Sequence, residues 1–194
     1  MQQITCDACG QPTQAYDVVN YGSIETGYRK LCGGCFNADV AERAGLDDFK
    51  HVRFEPIEMS DASGRAHEFH FRARLFGSGV ALDAFELRDG HPAGYQFQGI
   101  GEPEGDLLVL LGRLIEKMRR SLAVQHLEDS DLGLQVSDRQ VVRGKIECDL
   151  DDEDRMPLVV IDGREVSWAE LGRMVMTFEG SQFKLEFRDM SDEL

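Results

Sequence analysis

Two Cys-x-x-Cys pairs stand near the start of the chain, Cys6 and Cys9 in "CDACGQP" and Cys32 and Cys35 in "LCGGCF". Two residues between cysteines let one tight turn aim both sulfurs at a single point. A tetrahedral ion such as Zn2+ takes four such sulfurs at about 2.3 Å. The spacing Cys-x2-Cys-x22-Cys-x2-Cys leaves room for a hairpin between the pairs. Gly10 permits the turn after the first pair, and Gly33 and Gly34 lead the second pair into a helix. A helix N-terminus offers N–H groups and positive partial charge, which favour thiolates. Four protein ligands leave no open position, so the expected site is structural rather than catalytic. The competing reading is a redox or disulfide pair, which a reducing compartment disfavours. A segment the size of residues 1–50 is too small to hold itself together by apolar burial, and a bound metal supplies what it lacks.

Within residues 1–50, "AYDVVNY" and "YRKLC" read as two short strands joined by "GSIETG". "CFNADVAERAG" follows as a helix that Gly45 stops. The order knuckle, hairpin, knuckle, helix over residues 4–46 resembles the treble-clef class of zinc fingers. That resemblance implies metal ligation by Cys6, Cys9, Cys32 and Cys35. It implies no single activity, because treble clefs serve nucleic-acid binding, protein binding and scaffolding alike.

Residues 51–129 read as an antiparallel β-meander with one packed helix. "HVRFEPIEM" is a strand with Pro56 marking an edge. In "HEFHFRARLF", Phe69, Phe71, Ala73 and Leu75 share one face, and His70, Arg72 and Arg74 the other. "VALDAFEL" and "AGYQFQGI" continue the meander, with "RDGHP" as the turn between them. Pro103 suits the first turn of a helix, on which Leu107, Leu108, Leu111, Leu114, Ile115, Met118 and Leu122 recur. The polar stretch "LEDSDLGLQVSD" reads as a linker.

Residues 130–194 read as a small β-β-β-α-β unit. "VVRGKIECDL" is a strand, and "PLVVIDGREVSW" is a hairpin with Asp162-Gly163 in a type I′ turn. "SWAE" is a capping box, in which Ser167 starts a helix bearing the stripe Trp168, Leu171, Val175 and Phe178. "QFKLEFRD" alternates Phe183, Leu185 and Phe187 and is expected to close the unit as its last strand. The stretch "LVVIDGREVSWAELGRMVMTFEGSQFKLEF" is similar to a segment of bacterial proteins of unknown function. The expected fold class is α+β throughout: a treble-clef-like zinc finger, a meander with one helix, and a small α+β domain.

The formal net charge of −15 divides as −3, −4 and −8 over these three segments. Such a field repels phosphate, so bulk nucleic-acid binding is not expected. No apolar run reaches the roughly 18 residues needed to cross a bilayer. The start "MQQITCDACG" has neither a basic nor an apolar leader region, so a cytoplasmic location is expected.

Other residue clusters have a plainer reading beside the chemical one. Asp149, Asp151, Asp152, Glu153 and Asp154 suit a hard cation such as Ca2+ or Mg2+, but lack an EF-hand's glycine and ligand spacing. A solvated loop accounts for them. His67 and His70, with His91 nearby, suggest a second metal site, yet residues three apart on a strand face opposite ways. They read as ordinary surface or half-buried histidines. Lys145–Glu147 and Lys184–Glu186 echo nuclease lysine–carboxylate pairs and read better as cross-strand charge on a solvent face. Gly99-Ile100-Gly101 echoes a phosphate loop, but Glu102, Glu104 and Asp106 follow it. Cys148 reads as a small buried apolar residue in a strand, not a ligand. No nucleophile has an identifiable base.

The expectation is a non-enzymatic zinc protein that acts as a protein-interaction or regulatory module, with self-association left open. The alternatives are a nucleic-acid-associated factor using the finger with Arg72, Arg74, Arg119 and Arg120, and an enzyme with a site between the two α+β units.

Overall fold

The computed structural model describes residues 3–46, 49–77, 79–131, 133–148 and 156–192. The acidic run 149–154 lies outside these residues. The chain is α+β, with antiparallel strand pairing in every sheet described.

The N-terminal unit opens with a short ladder of β1 (Gln3–Thr5) against β2 (Pro12–Gln14). A single 3-10 turn (Ala15–Asp17) leads into the hairpin of β3 (Val18–Ser23) and β4 (Gly27–Cys32). Helix α1 (Gly33–Ala44) follows at once and ends at Gly45, whose left-handed φ of 69° places its N–H on the Ala41 and Glu42 carbonyls. The hairpin and helix fall where the sequence puts them. The β1–β2 ladder is too short to show any alternation.

The central sheet runs in the order β5 (Ile57–Ser60), β6 (Ala66–Phe76), β7 (Gly79–Arg88), β8 (His91–Gly101). Phe69, Phe71, Ala73 and Leu75 are all buried, as the alternation of β6 requires. They meet Val80, Leu82, Ala84 and Phe97 beneath helix α2 (Leu107–Leu122). The turn between β7 and β8 is tighter than expected: Asp89 (φ 54°) and Gly90 (φ 84°) make it, and β8 already begins at His91. Pro103 is not in the helix. Asp106 caps α2 by accepting the Leu108 N–H at 2.8 Å, so Pro103 belongs to the preceding turn. The buried stripe of α2 is Leu107, Leu110, Leu114, Met118 and Leu122, while Leu108 faces solvent. A Cβ on Gly99 or Gly101 would meet the Leu110 side chain at 3.3 and 3.1 Å, so these glycines let α2 lie close on β8. That packing role accounts for the Gly-x-Gly that resembled a phosphate loop.

The stretch expected as a linker is instead a hairpin of β9 (Leu127–Ser130) and β10 (Gly133–Val136). Leu127 is fully buried in a second core with Val159, Ile161, Val166 and Met174. Leu134 and Val136, two apart on β10, pack at the margin of that core, so the stretch carries a short strand alternation beneath its polar composition. A sheet in the order β11 (Lys145–Cys148), β12 (Pro157–Ile161), β13 (Arg164–Ser167) follows, with helix α3 (Trp168–Met176) behind it. Asp162 (φ 50°) and Gly163 (φ 70°) make the β12–β13 turn, and Ser167 and Glu170 form the expected capping box. The buried residue of α3 is Met174, while Trp168 and Val175 are exposed, so the expected stripe is rotated. The last expected strand is absent. Among the described residues, 181–189 pair with no strand, and Phe183, Leu185 and Phe187 are 89%, 65% and 70% exposed. No helix among the described residues is long and apolar enough to cross a membrane.

The C-terminal turn also docks on the central sheet. A Cβ on Gly163 would lie 2.8 Å from the Tyr95 ring, on top of the strain that its positive φ imposes on any branched residue. Replacing Gly163 with Val should therefore cost on the order of 1–3 kcal/mol. Denaturant unfolding checks this, and unchanged stability would refute the role given to the turn.

Candidate metal centre

The sulfurs of Cys6, Cys9, Cys32 and Cys35 all lie within 4.8 Å of one another, with Cys9 and Cys32 at 4.0 Å. Four sulfurs about 2.3 Å from one ion would stand about 3.8 Å apart, so the set is close to a tetrahedron that a single metal can fill. Each pair is aimed by its own local structure. The first sits in a tight turn in which Gly10 (φ 71°) donates its N–H to the Cys6 carbonyl at 2.9 Å. That turn is tied to β4 by Asp7 N–H to the Lys30 carbonyl (2.8 Å) and Lys30 N–H to the Asp7 carboxylate (2.6 Å). The second pair starts α1: Cys32 is its N-cap, and its sulfur accepts the Cys35 N–H at 3.4 Å.

The electrostatics of the four thiols favour a cation. Burial resists ionisation of Cys6, but N–H groups around its sulfur, including that of Cys32 at 3.3 Å, bring its pKa down to about 6. Burial pushes Cys35 up, and the neighbouring Cys32, Cys9 and Cys6 sulfurs push it further. Cys32 is raised by burial as well. Four thiolates this close repel one another, and a dication at their centre removes the conflict. The apolar support is slight: Cys6, Leu31 and Cys32 are buried, with Tyr21, Cys35 and Phe36 packed around them. Tyr21 and Phe36 meet edge to face at 5.3 Å.

The unit is not free-standing. Asn37 of α1 is fully buried, and its carboxamide bonds the outer edge of β6: Nδ2 donates to the Ala73 carbonyl (2.8 Å), and Oδ1 accepts the Leu75 N–H (2.9 Å). Nδ2 also donates to His51 Nδ1 at 2.9 Å, which leaves the His51 proton on Nε2. Burial lowers the His51 pKa against the pull of Asp17. Nothing in the sequence singles out Asn37. An asparagine on a helix face has no periodic signal, and its partner strand is thirty-six residues away.

The remaining candidates do not converge on a site. His67 and His70 point to opposite faces as expected, but His67 is only 4% exposed, not half-buried, and it lies between Asp61 (3.1 Å) and Glu86 (2.9 Å). Burial resists ionisation of Asp61, yet hydrogen bonds from Ser63, His67 and the Arg65 N–H hold its carboxyl down at about 2. His91 is exposed. Lys145–Glu147 (2.7 Å) and Lys184–Glu186 (2.8 Å) are pairs along one segment, not across strands. Cys148 lies in β11 but is exposed: it is the last residue of an edge strand, opposite Pro157 at the rim of the sheet. Arg72 is engaged by Asp83 (2.8 Å) and the Tyr16 carbonyl (2.8 Å), on the face of the sheet opposite α2. Arg119 pairs with Glu116 on α2, so these arginines belong to opposite sides of the sheet.

A cleft of about 380 Å3 lies where β8, α2, β11 and the C-terminal segment meet, with Tyr95, Phe97, Ile146, Val160 and Phe187 in its wall. Its two lysines and Asp162 are engaged by neighbouring groups. Lys117 bonds the carbonyls of Gln98, Met190 and Asp192, and Lys145 bonds Gln96 and Glu147. Asp162 accepts the N–H groups of His126 and Leu127.

Three family models match the chain, each described as a domain of unknown function. DUF7685 matches residues 5–47, DUF7686 residues 50–123 and DUF7713 residues 126–192. None is described as a zinc finger. No curated protein and no solved structure matches the chain.

The geometry sets the expected result of metal analysis. Cys35→Ser should lower the metal retained per chain, and Cys148→Ala should leave it unchanged. Elemental analysis of the purified variants measures both, and metal loss with Cys148→Ala would mean that the ligand set is misassigned.

Proposed function

We propose that this chain is a cytoplasmic, non-enzymatic protein-interaction or regulatory module whose N-terminal unit is a treble-clef-like finger closed on one structural Zn2+. The observation that carries this reading is the set of four cysteine sulfurs within 4.8 Å of one another. An all-sulfur set is soft, which favours zinc over hard cations such as Ca2+ and Mg2+. It is also closed, with no place left for substrate. The metal then holds together a unit whose own apolar cluster is three buried residues.

A protein partner suits the surface better than nucleic acid does. Large apolar side chains are exposed at the β3–β4 tip (Ile24, Tyr28) and along the C-terminal segment. The net charge of −15 opposes phosphate, and the arginines that could offset it are paired or on opposite sides of the sheet.

Elemental analysis of the native protein should give one zinc per chain. Affinity capture from the native host should then recover a specific protein with the intact chain and lose it with the Cys6→Ser/Cys35→Ser variant. Duplex DNA and RNA should bind no more tightly than a weak nonspecific ligand, for which about 10⁻⁴ M is typical at physiological salt. Micromolar affinity for either would replace this reading with that of a nucleic-acid-associated factor.

A further inference from the structure

Residues 182–188, "QFKLEFR", have a strand's alternation but no strand partner among the described residues. Lys184 and Glu186 pair at 2.8 Å and Glu186 and Arg188 at 2.5 Å, and side chains two apart meet in this way on an extended chain. The opposite face carries Phe183, Leu185 and Phe187, all exposed. Among the described residues, no backbone hydrogen bond holds 182–187. An extended segment with open N–H and C=O groups and one apolar face is a template for strand pairing.

We propose that this segment pairs with the same segment of a second copy of the chain, as an antiparallel two-stranded ladder about a two-fold axis through Leu185. The sequence is self-complementary in that register. Phe183 falls opposite Phe187, Lys184 opposite Glu186, and Gln182 opposite Arg188, and the symmetry makes every contact twice. Neighbouring registers fail. An axis through Glu186 sets Glu186 against itself and Lys184 against Arg188, and an axis through Lys184 sets Lys184 against itself. A parallel in-register pair would stack like charges throughout. The segment itself holds two cations and one anion, so its own charges do not add to the repulsion that a net charge of −15 sets up between copies. The pairing is independent of the metal, whose ligands lie in the N-terminal unit.

Sedimentation of the full-length protein tests this. The wild type should be a dimer in the micromolar range. Lys184→Glu and Glu186→Lys should each raise the dissociation constant on the order of tenfold, because each turns two attractive cross-strand pairs into repulsive ones. An equimolar mixture of the two variants should re-form a dimer, since the two carboxylates of one chain then face the two ammonium groups of the other. These side chains are on the surface, so fold and metal content should not change. A wild type that stays monomeric into the high-micromolar range would overturn the proposal. So would a dimer indifferent to either substitution, or variants that fail to complement. A monomer whose 183–187 amides are protected from hydrogen exchange would mean that the segment closes on the edge of its own β11, and this too would overturn it.

Discussion

The contact on which the rest of this structure depends is the Asn37 carboxamide. Strand β5 covers β6 only from Ala66 to Phe69, so the outer edge of β6 beyond that point lacks a ladder. Asn37 supplies the missing partner, one acceptor and one donor, at Ala73 and Leu75. A buried backbone group left unpaired costs about 1–3 kcal/mol, so this single side chain closes an edge that would otherwise count against burial. In doing so it sets α1 down on the sheet. Ala41 enters the main core, and Val40 and Leu46 pack at its margin. The cysteine unit is therefore joined to the central sheet through a core, and is not an appendage held by metal alone.

The two ends of the molecule are joined to the sheet differently. At the N-terminal side, Arg72 bonds both Asp83 and the Tyr16 carbonyl, its guanidinium lies 5.2 Å from the centre of the Phe85 ring, and Tyr16 meets Phe85 edge to face at 5.4 Å. At the C-terminal side the links are mostly polar: Arg88 to Glu165, Gln96 to Glu147, and the tight approach of Gly163 to Tyr95. Exposed ion pairs of this kind add little stability. The second core, around Leu127, Ile161 and Val166, is separate from the first. Physical coupling should thus be stronger between the cysteine unit and the sheet than between the sheet and the C-terminal unit, although each region matches a separate family model.

What the sequence revealed follows from which signals are periodic or local. Cys6, Cys9, Cys32 and Cys35 announce themselves by spacing, and the alternation of β6, the Asp162-Gly163 turn and the Ser167–Glu170 box are all local patterns. Long-range polar contacts have no such signature. Asn37, the burial of His67 between Asp61 and Glu86, and the anchoring of the β9–β10 hairpin by Leu127 all depend on residues far away in the chain. The rotated stripe of α3 has the same origin. Trp168 and Val175 are as apolar as Met174, and only the position of the sheet decides which of them is covered. The C-terminal segment shows the reverse case, a local strand pattern without the neighbour needed to realise it.

Edge management explains why that segment stands out. Every exposed sheet edge is a site where another chain can add, and folds suppress such sites by short strands, capping side chains or cover. Here β5 is only four residues long. Asn37 caps β6, and Lys117 reaches the Gln98 carbonyl on the edge strand β8 while also binding the carbonyls of Met190 and Asp192. The same lysine therefore fixes the end of the C-terminal segment against the sheet and leaves the stretch before it extended. Phe187 and Ile146 face one cleft from its two sides, the segment on one and the β11 edge on the other. The charges of Lys184, Glu186 and Arg188 restrain indiscriminate pairing, because the registers centred on Lys184 and on Glu186, and a parallel in-register pair, set like charges together. A segment built this way discriminates among partners by register, and the register its charges favour is the one it makes with itself.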